Sequence, residues 1–519
     1  MGDNLVDRLR RTRPGYEAER VWHKFLLDAY AGTGGFEGSI RMPFASYWGA
    51  ASDMYGGNDS LRAEYNFGEE SIDTYLDRFM REDTDKFSRR VSTSQYPNYI
   101  EPIVDIRLSY MHRKEMTRTG TEPVQDWMQD VNGLGTTWDR LRQEQVDFRA
   151  ALLGWTPVLF DRTNPAGASE IGTMSRAQAS ALGVRTVAIP LYPGNLLDWD
   201  TDEYGVFQWA KLSTWQILRP DPLGEPVSVQ RVTIWTRDSV QRWDIHRDGE
   251  GRESASLAEE MGHNYGRVPV LIAKHKPSHD DPVKGLPIAA GASKLARKLF
   301  NYLSELDEHM RSSVFAFLQV PTKGSGAGEV ILGSSNAMQI PMGSSRDLKY
   351  VSPDPSVAET LETRIKTTVE EMYRTGRSEF ARANVGGSAR ESGAARMIAF
   401  ENSNRAIADF AANMAAFDEE ALKLVAALET GDPFAGESID TIAPTRFGIE
   451  ELSKDLDDAM GAISVGLGPT AEAEIKRRLI SKVLPNLDPL LADAVGDELD
   501  DMRKDSEQAE QFDDADDDG

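Results

Sequence analysis

The chain has 519 residues, 58 of them basic and 84 acidic, for a formal charge of -26 at pH 7. With 40% hydrophobic and 27% charged residues it has the composition of a folded protein rather than a disordered or fibrous one, and its length allows two to four domains of roughly 100–200 residues each. The absence of cysteine excludes disulfides, thiolate metal sites, iron–sulfur clusters and cysteine nucleophiles.

No apolar run approaches the ~18–20 residues needed to cross a bilayer, and the N-terminus lacks an apolar stretch of signal-peptide length. Neither membrane nor export is expected. Acidity is uneven: Asp497–Gly519 holds 12 acidic and 2 basic residues, and so supplies -10 of the total. This end reads as a solvated, disordered tail. The rest, at about -16, has the wrong sign for tight binding of nucleic-acid phosphates through counterion release.

Along the chain, Glu17–Tyr30 and Ser71–Arg81 are helical patches, the second carrying Ile72, Tyr75, Leu76 and Phe79 on one face. A helix is expected near Pro102, since proline suits a first helical turn. Thr137–Leu153 continues as a helix with Trp138, Leu141, Gln145, Phe148 and Leu152 in one stripe. Between Trp155 and Ile272 the texture changes to short β-branched and aromatic runs divided by turn signals. Thr186–Leu191, Val206–Leu212, Val227–Thr236, Val240–His246 and Val268–Ala273 are the strand candidates.

From Pro287, Leu295, Leu299, Tyr302, Leu303, Leu306, Met310, Val314 and Phe317 recur at helical spacing. A stretch rich in glycine and proline from Pro321 to Pro355 follows, with short strands predicted at Glu329–Leu332, Ala337–Ile340 and Leu348–Val351. Ser356 and Glu359 form a capping-box pattern before a helix marked by Val357, Leu361, Ile365, Val369 and Met372. After the loop Arg382–Ala389, a run from Glu391 to about Glu429 reads as one helix of more than about 55 Å, far above the usual length. The expected fold class is α+β, mainly helical.

His275 and His279, with Asp280, Asp281 and His263 nearby, are the densest metal-like cluster and admit a metal-dependent hydrolase as an alternative reading. Pro277 breaks the helix that would align the two imidazoles, so a solvated loop is the simpler reading. The glycines at Gly324, Gly326 and Gly328 precede a strand, and Lys323 lies on the wrong side for a phosphate cradle. There is no Gly-x-Ser-x-Gly elbow, and no enzyme signature or cofactor motif. Against the acidic average, Arg374, Arg377, Arg382, Arg390 and Arg396 outnumber Glu379 and Glu391, a local +3. It reads as solvated helix ends and ion pairs between subunits, or as transient contact with a polyanion.

The order of these features resembles the portal proteins of tailed double-stranded DNA bacteriophages. Three strings strengthen it: Tyr99-Ile-Glu-Pro-Ile-Val-Asp-Ile-Arg-Leu-Ser-Tyr110 is similar to an early wing helix, Gly285-Leu-Pro-Ile-Ala-Ala-Gly-Ala to the lead-in of a first stem helix, and Ser392-Gly-Ala-Ala-Arg-Met-Ile-Ala-Phe-Glu401 to the long helix after the tunnel loop. Together they cover about 90 to 430.

The resemblance implies a wing over 1–285 (β-rich part 155–272), stem helices over 286–317 and 356–378, a clip over 318–355 and a tunnel loop over 379–391. A long wing helix over 392–430, a small crown over 431–496 and the acidic tail over 497–519 complete it. The chain departs from larger members in having no long C-terminal helical barrel. The implied function is non-enzymatic: a twelve-subunit ring at one capsid vertex, through which DNA is packaged and ejected. Implied partners are further copies of the chain, the major capsid protein, the terminase large subunit, head–tail adaptor or tail proteins, and double-stranded DNA passing non-specifically. The implied location is the virion, with assembly in the host cytoplasm. In the tunnel loop, Arg382, Asn384, Gly386, Gly387, Ser388 and Arg390 would line the channel; in the clip, Lys323, Gly324, Gly326, Gly328, Arg346 and Lys349 would dock partners. A capsid-interior scaffold without a channel is a further alternative.

Overall fold

The computed structural model describes residues 4–36, 74–163, 183–218, 227–247, 252–263, 265–314, 317–322, 337–341, 349–351, 354–378, 393–445, 447 and 475. The chain divides into two units, Met1–Phe447 and Gly448–Gly519, and only helical Ile475 is described in the second. The first unit combines helices and sheets, an α+β fold.

Helices α1 (Leu5–Arg10) and α2 (Tyr16–Ala31) open the chain; α2 buries Phe25, Leu26, Leu27 and Ala29 and ends at left-handed Gly32, whose N–H caps Asp28. The helix expected at Ser71–Arg81 does not form over its described part, 74–81. Long-range partners take its backbone instead: Tyr75 N–H donates to the Gly35 carbonyl and Asp77 N–H to Asn301 Oδ1. The helix begins only at α3 (Thr84–Thr93), where Asp83 accepts the Asp85 N–H as a cap. Helix α4 (Ile100–Met111) contains Pro102 in its first turn as expected, with Asn98 Oδ1 accepting from the N–H groups of Ile100 and Glu101.

After strand β1 (Thr117–Thr119) and helix α5 (Gln125–Gln129), Thr137 caps α6 (Trp138–Leu141), which runs through a π-helical stretch, Arg142–Asp147, into α7 (Phe148–Leu153). The π turn rotates the face so that Arg142, Val146 and Asp147 join Trp138 and Leu141 in the interior.

Eight strands follow. A three-stranded antiparallel sheet runs β3 (Thr186–Pro190), β2 (Trp155–Arg162), β9 (Val270–Lys274). A five-stranded antiparallel meander runs β4 (Leu196–Thr201), β5 (Phe207–Leu218), β6 (Val227–Thr236), β7 (Ser239–Arg247), β8 (Glu253–Gly262). All five strand candidates fall on strands, as β3, β5, β6, β7 and β9. The sequence reading missed β2, β4 and β8. Edge strand β8 is rich in Glu, Ala, Leu and Met, residues of high helix propensity; it is held across the ladder by Arg242–Glu259 and Gln241–Glu260.

Helix α8 (Ala290–Val314) stops short of Phe317, which starts strand β10 (Phe317–Thr322) instead of ending the helix. The Phe-Leu-Gln-Val-Pro run suits an extended chain, and Pro321 could not continue a helix. β10 pairs in parallel with β11 (Ala337–Pro341) and antiparallel with β12 (Lys349–Val351). The strand expected at Glu329–Leu332 lies outside the described residues. Helix α9 (Pro355–Thr375) is capped by Asp354, which accepts the Ser356 N–H, with Pro355 at the first helical position. This displaces the expected Ser356–Glu359 box by two residues. Helix α10 (Gly393–Thr430) is about 57 Å long, and β13 (Asp440–Ile442) pairs back to β1.

The largest buried cluster joins α2, α4, α6, α7, the base of α8, the end of α9 and α10. A second lies between the two sheets around Trp155, Leu196 and Trp235, and a third seats Val6 and Leu9 of α1 on Val232 and Ile245. No helix among the described residues is long and apolar enough to cross a membrane.

Candidate functional site

Helices α8 and α9 form an antiparallel hairpin closed by the β10–β11–β12 sheet. Gly291 in the first turn of α8 lies against Thr375 in the last turn of α9, and a Cβ at 291 would run into the Thr375 methyl group. At its base the hairpin is buried: Ala292, Ala296, Leu299 and Phe300 of α8 and Met372 and Tyr373 of α9 are in the core. Cover then declines along both helices. Leu303, Leu306, Leu361 and Ile365 are half-buried, while Met310 is 52% and Val357 47% exposed. Among the described residues the apolar stripe thus continues beyond the buried base of the hairpin to the exposed Met310 and Val357.

The hairpin is seated by a glycine contact. Gly154 has φ +96, and a Cβ there would meet the Gly285 carbonyl and Pro287 N at 2.8 Å; a Cβ on Gly285 would meet the Gly154 carbonyl. Ile288 N–H donates to the Ala151 carbonyl at 2.9 Å. The chain can enter α8 beside the α7–β2 junction only because both residues lack side chains.

The end of α9 is the second fixed point. Ser378 N–H bonds the Tyr373 carbonyl (2.9 Å) and Arg377 N–H the Arg374 carbonyl (3.0 Å), the two bonds of a Schellman motif. Glycine usually holds the left-handed position of that motif; here Arg377 does, with φ 48, the one non-glycine residue at positive φ among those described. Two side chains clamp it: Arg107 donates to the Gly376 carbonyl, and Ser403 Oγ of α10 donates to the Arg377 carbonyl at 2.6 Å. α9 therefore ends in a hydrogen-bonded stump at Gly376–Ser378.

His275 lies beside this stump. Its Nδ1–H donates to the Leu286 carbonyl (2.7 Å), its ring meets Phe410 edge-on at 4.8 Å, and its carbonyl accepts from Asn413 Nδ2 (2.9 Å). Burial, opposed by the Leu286 bond and reinforced by Arg107, Lys276 and Arg377, lowers its pKa to about 4. His279 is exposed, and Asp281 pairs with Lys284 (3.2 Å). His275 is thus bound into the packing between β9 and α10, and among the described residues no group of three His, Asp or Glu could hold a metal.

Of the site residues expected from sequence, Arg382, Asn384, Gly386, Gly387, Ser388 and Arg390, and likewise Lys323, Gly324, Gly326, Gly328 and Arg346, lie outside the described residues. Lys349 begins β12, opposite Gln319. Of the arginine cluster, Arg374 pairs with Glu371 on its own helix.

The sequence reading missed the polar hub beneath α10. Asp418 is fully buried and accepts from Arg118 (2.8 and 2.9 Å), Arg142 Nη1 (3.0 Å), Trp138 Nε1 (2.7 Å) and Thr441 Oγ1 (3.1 Å). Burial alone would push its carboxyl up, but the Arg118 hydrogen bonds, with Arg142 and Trp138, hold it below the usual carboxylate range. The hub ties β1, β13 and the α6 region to the middle of α10. Its one sequence signal was a carboxylate among Met414, Phe417 and Ala421 on an otherwise apolar face.

No family model matches the chain, and no curated protein matches it. Among solved structures it is similar to a chain of "Neck of empty GTA particle computed with C6 symmetry", at 14% identity and a TM-score of 0.36, covering 71% of this chain and 86% of that one. A likeness at that level carries no argument about function.

Proposed function

We propose that this chain is the subunit of a portal ring, the channel for DNA at one vertex of a tailed-phage capsid. The α8–α9 hairpin carries the reading: two antiparallel helices joined through a small sheet, with an apolar stripe around Leu306, Met310, Leu361 and Val357 that the chain itself leaves partly uncovered. Contiguous exposed apolar surface marks an interaction site. In a closed ring, each copy covers the stripe of the next through heterologous contacts.

In this reading α8 and α9 are the stem, the β10–β12 sheet belongs to the clip, 379–391 is the tunnel loop and α10 is the long wing helix. The base of the hairpin, fixed by Gly154, Gly285 and the Arg377 motif, would hold the loop at constant height while the clip faces the terminase and, later, adaptor and tail proteins. The net charge of -26 suits a conduit, because a wall that neutralised phosphates would accumulate affinity and hold the polymer still. The ring has twelve subunits by the family resemblance.

Negative-stain microscopy of the purified full chain tests the reading. A ring with a central hole is expected. Compact particles without a hole would support a scaffold instead and remove the channel.

A further inference from the structure

We propose that the turn Phe79–Glu82 of one copy docks on the apolar stripe of the α8–α9 hairpin of the next copy, with Met80 at its tip and Arg81 set against Glu359. The choice of a second copy as partner rests on the ring reading above. The two surfaces and their placement are those of the single chain.

The turn is built to keep its shape. Glu82 N–H donates to the Phe79 carbonyl (3.0 Å), and Phe79 N–H donates to Glu82 Oε2 (3.2 Å). Arg90 holds that same carboxylate oxygen at 2.6 Å, in an ion pair whose two side chains are each 2% exposed, and its guanidinium lies 4.6 Å from the centre of the Phe79 ring. On this frame Met80 is 98% and Phe79 49% exposed. Docking a turn already ordered loses little of the conformational entropy that a loose loop would give up. Arg81 beside them is exposed and forms no ion pair among the described residues.

Turn and stripe lie on opposite sides of one helix. The segment around the turn is fastened to α8 at four places: Asp77 pairs with Arg297 (2.7 Å), Asp77 N–H donates to Asn301 (2.7 Å), Arg90 donates to Ser304 (3.2 Å) and Lys86 pairs with Glu308 (3.0 Å). These four α8 residues recur at helical spacing and mark one side of the helix. Leu306 and Met310 follow Ser304 and Glu308 by two residues, about 200° round at 3.6 residues per turn. A knob on one side and an apolar surface on the other suit head-to-tail contact, the kind that closes a ring.

The two surfaces also share a height. Counted from the Gly291–Thr375 contact at about 1.5 Å per residue, Asn301 to Glu308 stand about 15–26 Å up the hairpin, Leu306 and Leu361 about 21–23 Å, Glu359 about 24 Å, and Met310 and Val357 about 27–29 Å. Rotation about a ring axis leaves height along that axis unchanged. With the hairpins running along the axis, the turn of one copy therefore meets the stripe of the next. Glu359, exposed and without an ion pair among the described residues, stands between Leu361 and Val357 and supplies the counter-charge for Arg81.

The test exploits the absence of cysteine from the chain, which makes any introduced pair the only thiols present. The full chain carrying Met80→Cys with Val357→Cys, and each single variant, are treated with a short bis-maleimide and run on denaturing gels, beside analytical ultracentrifugation of the parent and of Met80→Glu. The double variant is expected to give a ladder of covalent multimers and each single variant only monomer. M80E should melt as the parent does yet need at least about tenfold more protein to assemble, because its carboxylate would be buried against an apolar stripe. Rings that form without cross-linking in the double variant, or M80E assembling at the parent's concentration, would overturn the docking and leave the ring reading standing. Cross-linked dimers from M80C alone would place like against like and overturn the head-to-tail contact. A parent that stays monomeric throughout would overturn both.

Discussion

Arg118 of β1 reaches across to Asp418 of α10, 300 positions away in sequence, and grips both carboxylate oxygens at 2.8 and 2.9 Å. The same guanidinium holds Asp139 at 2.6 Å, so one arginine joins three segments. Removing the carboxylate would leave Arg118 and Arg142 facing each other in the interior. Asp418→Ala should therefore destabilise the chain by about 3–5 kcal/mol in denaturant unfolding, the range for breaking a buried pair. Asp418→Asn should cost less, because the amide oxygen still accepts the Trp138 N–H.

Acid should destabilise the fold in two stages. His23 and His275 have pKa values lowered by burial to about 3 and about 4, so the unfolded chain binds their protons first. Their contributions are complete above the unfolded value near 6.5 and are lost as pH falls, at about 1.4 kcal/mol per pH unit for each. Asp418, held low in the fold, loses its contribution only further down, below the usual carboxylate range. Unfolding midpoints measured across this range check both stages; a His23→Phe/His275→Phe double variant should flatten the first stage.

The glycine contact under the hairpin should be intolerant. Gly285→Ala must push a methyl into the Gly154 carbonyl, and neither backbone can yield without moving α8. A loss of about 2 kcal/mol or more is expected, with Gly154→Ala similar and the double variant less than additive. By contrast, Arg377→Gly should raise monomer stability by about 0.5–1 kcal/mol in thermal melting, since it relieves the left-handed strain.

Periodicity made the helices α2, α8, α9 and α10 legible, because their apolar residues recur at helical spacing, and Pro102 in a first turn marked α4 although its apolar residues keep no pure period. Strands β3, β5, β6, β7 and β9 were legible from β-branched runs between turns. Long-range contacts defeated the reading elsewhere. Tyr75 and Leu76 have helical spacing, yet Gly35 and Asn301 take the backbone bonds a helix would need. β2 falls inside the stretch read as β-rich, yet its first six residues are all buried, so no alternation marked it as a strand. At the candidate site, Gly285 and Pro287 belong to the Gly285–Ala292 stretch that resembles a stem lead-in, but their packing role depends on Gly154, far away in sequence. Arg377 was legible as a charge and not as a strained cap, since the left-handed position emerges only from where α9 stops.

The exposed stripe gives the assembly prediction its sharpest form. Met310→Glu with Val357→Glu alters two side chains about half exposed in the single chain. Monomer stability should change by no more than about 0.5 kcal/mol for each, as for other surface positions. Assembly should be lost, because each charge would be buried without a partner against the next copy.

Closure of copies of this chain into a ring around a channel can be measured by native mass spectrometry of the purified full chain at micromolar concentration and moderate salt. One closed species at about twelve times the 57.6 kDa chain mass is expected, abolished by the M310E/V357E double variant. A parent that remains monomeric under these conditions, or a double variant that assembles as the parent does, would contradict it.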